Sequence, residues 1–288
     1  MAIRKYHIGL TQWGLKEWKG VFYTDNATQG QFLRQYSTVF NSVEGNTTFY
    51  RAPAAETIIK WGEQVPDGFK FCFKFPQTIT HYKRLKNVKD EVLDFLSLFE
   101  PIRKKLGPFH IQLSSQFSYN EFDKLEELCE ILPPHYHYSV EVRHHDFYDR
   151  GKKEKRFFEL LKANSIGRVT FDTRKLHSIK GGDKSIIQAQ KKKPKTPIRF
   201  DASASRPFVR YVGANDVINN ETYLKEWAII TADWIKDGLH PYIFIHSPDV
   251  VSSPGIARHF HKLLSGFVEL EPMAAAPKDK ESEQLGLF

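Results

Sequence analysis

Eight short runs rich in β-branched and aromatic residues recur along the chain, and almost every gap between them carries the apolar spacing of an amphipathic helix. This alternation is the strongest constraint on the fold. Consecutive strands joined through helices run parallel, because each crossover returns the chain to the same edge of the sheet. The strand-like runs are Tyr6–Leu10, Val39–Glu44, Phe69–Phe75, Phe109–Leu113, Tyr138–Arg143, Arg168–Asp172, Phe208–Val212 and Tyr242–His246. Helical stretches are expected over Gln29–Thr38, Ala54–Gln64, Lys89–Leu106, Asn120–Leu132, Lys152–Asn164, Glu221–Lys236 and Pro254–Leu264, whereas the sixth connection, Thr173–Pro207, shows no clean helix. Eight such units in 288 residues predict a single-domain α/β fold, a (β/α)8 TIM barrel over residues 1–270.

A hydrophobic content of 41 % is enough to bury a core of this size. No apolar run of membrane-spanning length occurs, and the first residues lead into strand-like sequence without a secretory signal. The two cysteines, Cys72 and Cys129, form neither a C-x-x-C pair nor a metal-like spacing. The expectation is a cytoplasmic protein with no membrane partner. The 42 Lys/Arg against 34 Asp/Glu leave a charge of +8. Between Arg174 and Arg199, nine basic residues face one acid, Asp183, so this segment alone equals the whole excess.

Strand alternation divides each run between the barrel lumen and the helix-facing side. In Phe69–Phe75 the Phe residues share one face and Lys74 ends the other; in Tyr138–Arg143, Glu141 and Arg143 oppose Tyr138, Val140 and Val142. The same rule aligns Glu44 with Ser42, Gln112 with His110, Asp172 with Thr170, Arg210 with Phe208 and His246 with Phe244. These polar residues fall at the C-terminal ends of their strands, where barrel enzymes build their sites. One reading is a buried ion-pair network filling the lumen. The other is a site for an anionic substrate, in which Lys74, Arg143 and Arg210 neutralise phosphate or carboxylate. Glu44, Glu141 and Asp172 would then supply a general base or ligate one divalent cation, and His81, His144 or His246 would move a proton. The identity of any metal is left open.

No H-E-x-x-H, G-x-S-x-G, P-loop or G-x-G-x-x-G sequence is present, which removes support for zincin, serine-hydrolase, P-loop and dinucleotide readings. The sixth connection, with Lys191, Lys192, Lys193 and Lys195, is either a solvated loop or a contact for a nucleic-acid backbone.

Several runs resemble the YecE-like family, a domain-of-unknown-function family. They are Val43–Tyr50, Phe69–Pro76 with Ile79–His81, Leu106–Pro108 with Gln112–Leu113, Val140–His144, Phe208–Gly213 and Ile245–Asp249. The resemblance covers about residues 7–268 and implies a TIM barrel, but no particular activity. Its motif positions here are Glu44, Asn46, Thr48, Tyr50, Lys74, His81, Gln112, Glu141, Arg143, His144 and Arg210. The first loop departs from the family's commoner Gly-Thr-Ser-Gly-Trp, reading Gly9-Leu10-Thr11-Gln12-Trp13.

Beyond Leu270 the sequence loses its apolar periodicity, and residues 271–288 are expected to form a flexible tail. Its last residues, Gln284-Leu285-Gly286-Leu287-Phe288, resemble the peptide by which bacterial replication and repair proteins dock on the DNA polymerase sliding clamp. Gln284, Leu285, Leu287 and Phe288 would make that contact. The leading expectation is a hydrolase acting on a phosphoester of nucleic acid or a nucleotide and tethered to the clamp. A non-catalytic nucleic-acid or partner-binding module, and a small-molecule enzyme acting on a sugar phosphate, are the alternatives.

Overall fold

All eight expected runs are strands in the computed structural model, which describes residues 6–278: β1 (His7–Leu10), β2 (Ser42–Gly45), β3 (Lys70–Phe73), β4 (Phe109–Gln112), β5 (Tyr138–Glu141), β6 (Gly167–Asp172), β7 (Phe208–Val212) and β8 (Tyr242–His246). They form one parallel sheet in the order β3-β2-β1-β8-β7-β6-β5-β4. Isolated bridges between Phe71 and Leu106 and between Lys74 and His110 join its two edges, so the sheet closes on itself. At Gly9 the strands approach so closely that a Cβ would lie 2.0 Å from the Ser42 carbonyl oxygen, and glycine is the residue that fits there.

Ten α-helices surround or cap the barrel among the described residues: α1 (Phe32–Ser37), α2 (Thr47–Tyr50), α3 (Ala55–Gln64), α4 (Lys89–Ser97), α5 (Phe122–Ile131), α6 (Lys152–Ala163), α7 (Arg174–Ser178), α8 (Lys184–Lys192), α9 (Glu221–Lys236) and α10 (Ser253–Ser265). The outer core is aromatic. Phe69, Phe71, Phe73 and Phe75 point away from the lumen and are fully buried; Phe69 packs on Tyr36, Phe71 on Trp13, Phe73 on Phe99, and Phe75 on Phe95 and Phe109. Each such ring contributes roughly 1.5–3 kcal/mol by leaving water. Inside the barrel a separate small cluster, Cys72, Val169, Phe208, Tyr242 and Phe244, fills the lower lumen beneath the polar strand ends.

The sixth connection is helical, contrary to the expectation of no clean helix. Asp183 caps α8 by accepting from the Ser185 and Ile186 amides, and Gly181 and Gly182 turn into it with positive φ. Ile186 and Ala189 of α8 are buried with Phe171, Leu176 and Val212. A lysine-rich outer face hides this short apolar stripe in the sequence. Residues 271–278 also depart from the expected flexible tail. The Ala274 carbonyl accepts from Arg258 at 2.6 Å, Ala276 is buried in the core, and the Lys278 amide bonds the Phe22 carbonyl at 3.3 Å. No helix among the described residues is long and apolar enough to cross a membrane.

Candidate active site

At the C-terminal end of the strands a cavity of about 680 Å³ opens, walled by the loops after β1, β2, β3, β5 and β8 and roofed on one side by α8. Asn46, Tyr50, Lys74, His81, Gln112, Arg143, Arg210 and His246 all reach it, so eight of the residues singled out above converge on one mouth. Lys192 and Lys193 join them, whereas Lys191 and Lys195 are exposed and stand outside.

The floor is an ion-pair network. Arg210 grips Glu44 with Nε and Nη2 at 2.8 and 2.7 Å and donates its other amino group to Glu141 at 2.7 Å. Glu141 also accepts from Arg143 Nε at 2.8 Å and lies 3.1 Å from His110 Nε2. Burial alone would raise both carboxyl groups, but the charge of Arg210, joined by His246 at Glu44 and by Arg143 and His110 at Glu141, holds them well below the ordinary range. Glu44 and Glu141 are both 0 % exposed and do not line the cavity. The structure therefore contains both arrangements that the sequence left open: a compensated network below and an open cavity above.

Above this floor the wall is cationic. Lys74 Nζ and Arg143 Nη2 both donate to Gln112 Oε1, at 2.6 and 2.7 Å. Phe171 offers its ring to Arg143, Arg210 and Lys193 at 5.5, 4.8 and 5.7 Å, and Phe49 lies 4.4 Å from Lys74 Nζ. Burial, reinforced by Arg210, lowers Lys74 to about 7 and Lys193 to about 8. Burial likewise lowers His81 to about 4, with Arg143 and Lys74 adding to the effect, and His246 to about 3 despite the nearby Glu44. Both imidazoles are neutral near pH 7. His81 Nδ1 pairs with the Thr80 hydroxyl at 2.9 Å, and its Nε2 lies 3.4 Å from Gln112 Nε2.

Besides Lys191 and Lys195, three further expected site residues sit elsewhere. Asp172 is not in the lumen: it faces α9, accepting from Trp227 Nε1 at 2.8 Å and from Arg174. Strand β6 is turned with Val169 and Phe171 inward, the opposite of the parity read from the sequence. Thr48 is buried beneath the wall, its hydroxyl shared between the Gly45 and Lys74 carbonyls at 3.0 and 2.6 Å. His144 lies beside the mouth with His145 and Asp146, the group with metal-ligand spacing among the described residues. The Tyr119 amide and the Lys153 ammonium already face the Asp146 carboxylate, at 3.1 and 3.5 Å, and the Asp146 amide donates to His144 Nδ1. The oxygens of Glu44, Glu141 and Asp172, expected to ligate a divalent cation, are instead occupied by guanidinium and indole donors.

Sequence reasoning missed Phe49, Phe171, Ser185 and Gln188. Phe49 lies inside the Val43–Tyr50 run, and the Phe171 signal was masked by the inverted parity of β6. The basic segment also divides: Arg174 pairs with Asp172 and Glu226, and Arg199 with Glu154, so part of its charge is internal.

The geometry defines the class: a (β/α)8 barrel whose mouth is a cationic cup over a neutralised floor. The chain belongs to the family described as "Protein of unknown function DUF72", whose model matches residues 7–281. The UPF0759 protein YecE of Escherichia coli K12 is 35% identical over 248 residues, covering 86% of this chain and 88% of that protein. The crystal structure of a DUF72 family protein from Thermotoga maritima MSB8 superposes with a TM-score of 0.72 at 24% identity, over 90% of this chain and 99% of that one. A DUF72 family protein from Enterococcus faecalis V583 gives 0.66 at 16%, over 93% and 99%. These structural likenesses establish the barrel, in agreement with the strand count. The clamp-like residues Gln284–Phe288 lie outside the described residues.

Proposed function

We propose that this protein is an enzyme that takes a small phosphorylated substrate, a sugar phosphate or mononucleotide, into the mouth of the barrel. One observation carries the reading: the cavity wall presents Lys74, Arg143, Lys192, Lys193 and Arg210 and no carboxylate. Among the described residues no acid pairs with Lys74, Lys192 or Lys193, so these amines are open to a ligand. The volume of about 680 Å³ lies within the range of small-molecule sites. Because α8 contributes Ser185, Gln188 and Lys192 to the wall, the basic segment belongs to this site and is more than an outlying arm. Phosphoester hydrolysis through Glu44 or Glu141 has weaker support, since both lie sealed under Arg210. His81, neutral and at the cavity edge, is the proton carrier this arrangement favours.

A thermal-shift panel of phosphorylated metabolites, their dephosphorylated counterparts and a single-stranded oligonucleotide tests the proposal. Stabilisation by phosphorylated small molecules alone supports it. Stabilisation by the oligonucleotide alone would favour the nucleic-acid reading and remove this one. As a separate proposal, the Gln284–Phe288 pattern supports docking on a bacterial sliding clamp, independently of what the barrel binds.

A further inference from the structure

Three amines line the mouth, Lys74, Lys192 and Lys193, and Lys74 differs from the others in its setting. It is only 6 % exposed. Its backbone is fixed by the bond from its amide to the Gly45 carbonyl and by the Thr48 hydroxyl on its own carbonyl. Its Nζ is aimed by the Gln112 carboxamide oxygen at 2.6 Å and lies 4.4 Å from the centre of the Phe49 ring. No carboxylate pairs with it among the described residues, because Glu44 and Glu141 are engaged by Arg210 and Arg143. A buried amine without a counter-ion, fixed at the edge of a ligand-sized cavity, is the arrangement that makes lysine a nucleophile.

Resting on the reading of a small phosphorylated substrate, we propose that Lys74 forms an imine with the carbonyl carbon of a phosphorylated aldehyde or ketone bound in the mouth. The Nζ lone pair adds to the carbonyl carbon while the carbonyl π electrons move to oxygen, which takes up a proton and gives a carbinolamine. The nitrogen then loses a proton, its lone pair forms the C=N bond, and the protonated hydroxyl leaves as water. Amine and carbonyl compound are thereby converted to imine and water, with no oxidant or reductant. Protonated, the imine withdraws electrons from the neighbouring carbon and so suits proton abstraction or carbon–carbon cleavage beside the former carbonyl. His81 stands at the cavity edge to move the protons, and Arg143 and Lys193 face the phosphate.

The electrostatics agree with this role. Lys74 is faced by Glu44 from β2, His81 from the turn after β3, His110 from β4, Glu141 and Arg143 from β5 and its extension, and Arg210 from β7. Burial, Arg210 and Arg143 outweigh the two glutamates and lower the amine to about 7. At neutral pH roughly half of it is then free base, on the order of a thousandfold more than for an ordinary lysine.

The test uses pyridoxal 5′-phosphate, a phosphorylated aldehyde, with borohydride reduction of the full chain and peptide mapping across pH 5.5–9. The expected result is one reduced adduct, on Lys74, formed at least about tenfold faster at pH 7 than on exposed lysines and rising with a midpoint near 7. Lys74→Arg and Lys74→Met should both lose it, and the wild-type map stands even if either variant folds poorly. Labelling confined to Lys192, Lys193 or outer lysines, or no labelling, overturns the proposal. Sulfate binding measured on the same samples separates the two ideas: bound sulfate without a Lys74 adduct leaves the anion reading intact and removes the imine, whereas no sulfate binding removes the anion reading itself.

Discussion

Replacing Arg210 with methionine removes the positive charge that holds the floor of the site and leaves a shorter, apolar, unbranched side chain. Arg210 makes three charge-assisted bonds to two carboxylates that are 0 % exposed. Glu141 keeps Arg143 at 2.8 Å and His110 at 3.1 Å, so the loss falls mainly on Glu44, whose remaining neighbour is His246 Nε2 at 3.4 Å. Stranding one buried charge in this way costs about 3–5 kcal/mol at pH 7. A domain has roughly 5–15 kcal/mol in total, so Arg210→Met should fold but be marginal. The effect depends on pH in a defined direction. In the native protein both carboxyl groups are held below their ordinary values, so their contribution is full above about pH 4.3 and is lost as the pH falls below it. Without Arg210, burial raises Glu44, and protonation relieves the penalty as the pH falls through that raised value. Urea unfolding followed by tryptophan fluorescence at pH 7 and pH 5 should show the gap between wild type and variant narrowing by more than about 1 kcal/mol. A loss below about 1 kcal/mol at pH 7, or a gap that does not change with pH, would refute the reasoning.

Asp172→Asn should cost about 1–3 kcal/mol through its bonds to Trp227 and Arg174, seen as a lower urea midpoint, while sulfate affinity at the mouth stays unchanged. Sulfate keeps its charge across neutral pH, whereas Lys74 and Lys193, lowered to about 7 and about 8, lose theirs as the pH rises. Sulfate affinity should therefore fall on the order of tenfold between pH 6 and pH 9, and a flat profile in calorimetry would contradict those assignments. Lys193→Gln should weaken sulfate binding, whereas Lys195→Gln, outside the cavity, should leave it intact. Deleting residues 284–288 should abolish binding to a purified bacterial sliding clamp without changing ligand affinity at the mouth; equal binding by both forms would remove the docking proposal.

The fold was legible because its information is local. Strand β3 reads Phe-x-Phe-x-Phe, with the polar set on the other parity, and β5 repeats the rule, so Lys74, Glu141 and Arg143 were placed correctly on the lumenal face. Strand β6 defeats the same rule because its polar set faces the helices and its apolar set, Val169 and Phe171, faces the lumen. Its outward residues are polar and find partners far along the chain: Arg168 bonds Glu154, and Asp172 reaches Trp227, 55 residues away. Pairings at such separations leave no mark on local alternation, and so Asp172 was assigned to the lumen and Phe171 overlooked. The lysines of α8 masked its apolar stripe for a related reason, since Ile186 and Ala189 have meaning only against Phe171 and Val212. At Glu44 and Glu141 residue type and face were readable, but their burial was not, because it depends on Arg210 from β7, three strands from Glu44 and two from Glu141.

The central claim is that the mouth recognises a phosphate on a small molecule. Its most direct test is a calorimetric comparison of a five-carbon sugar phosphate with the same sugar lacking phosphate, on the intact chain at pH 7. The account predicts that the phosphorylated form binds at least about tenfold more tightly, the worth of one charge-assisted contact, and that raising the salt concentration narrows the difference. Equal affinity for the two, or tighter binding of the uncharged sugar, would contradict it.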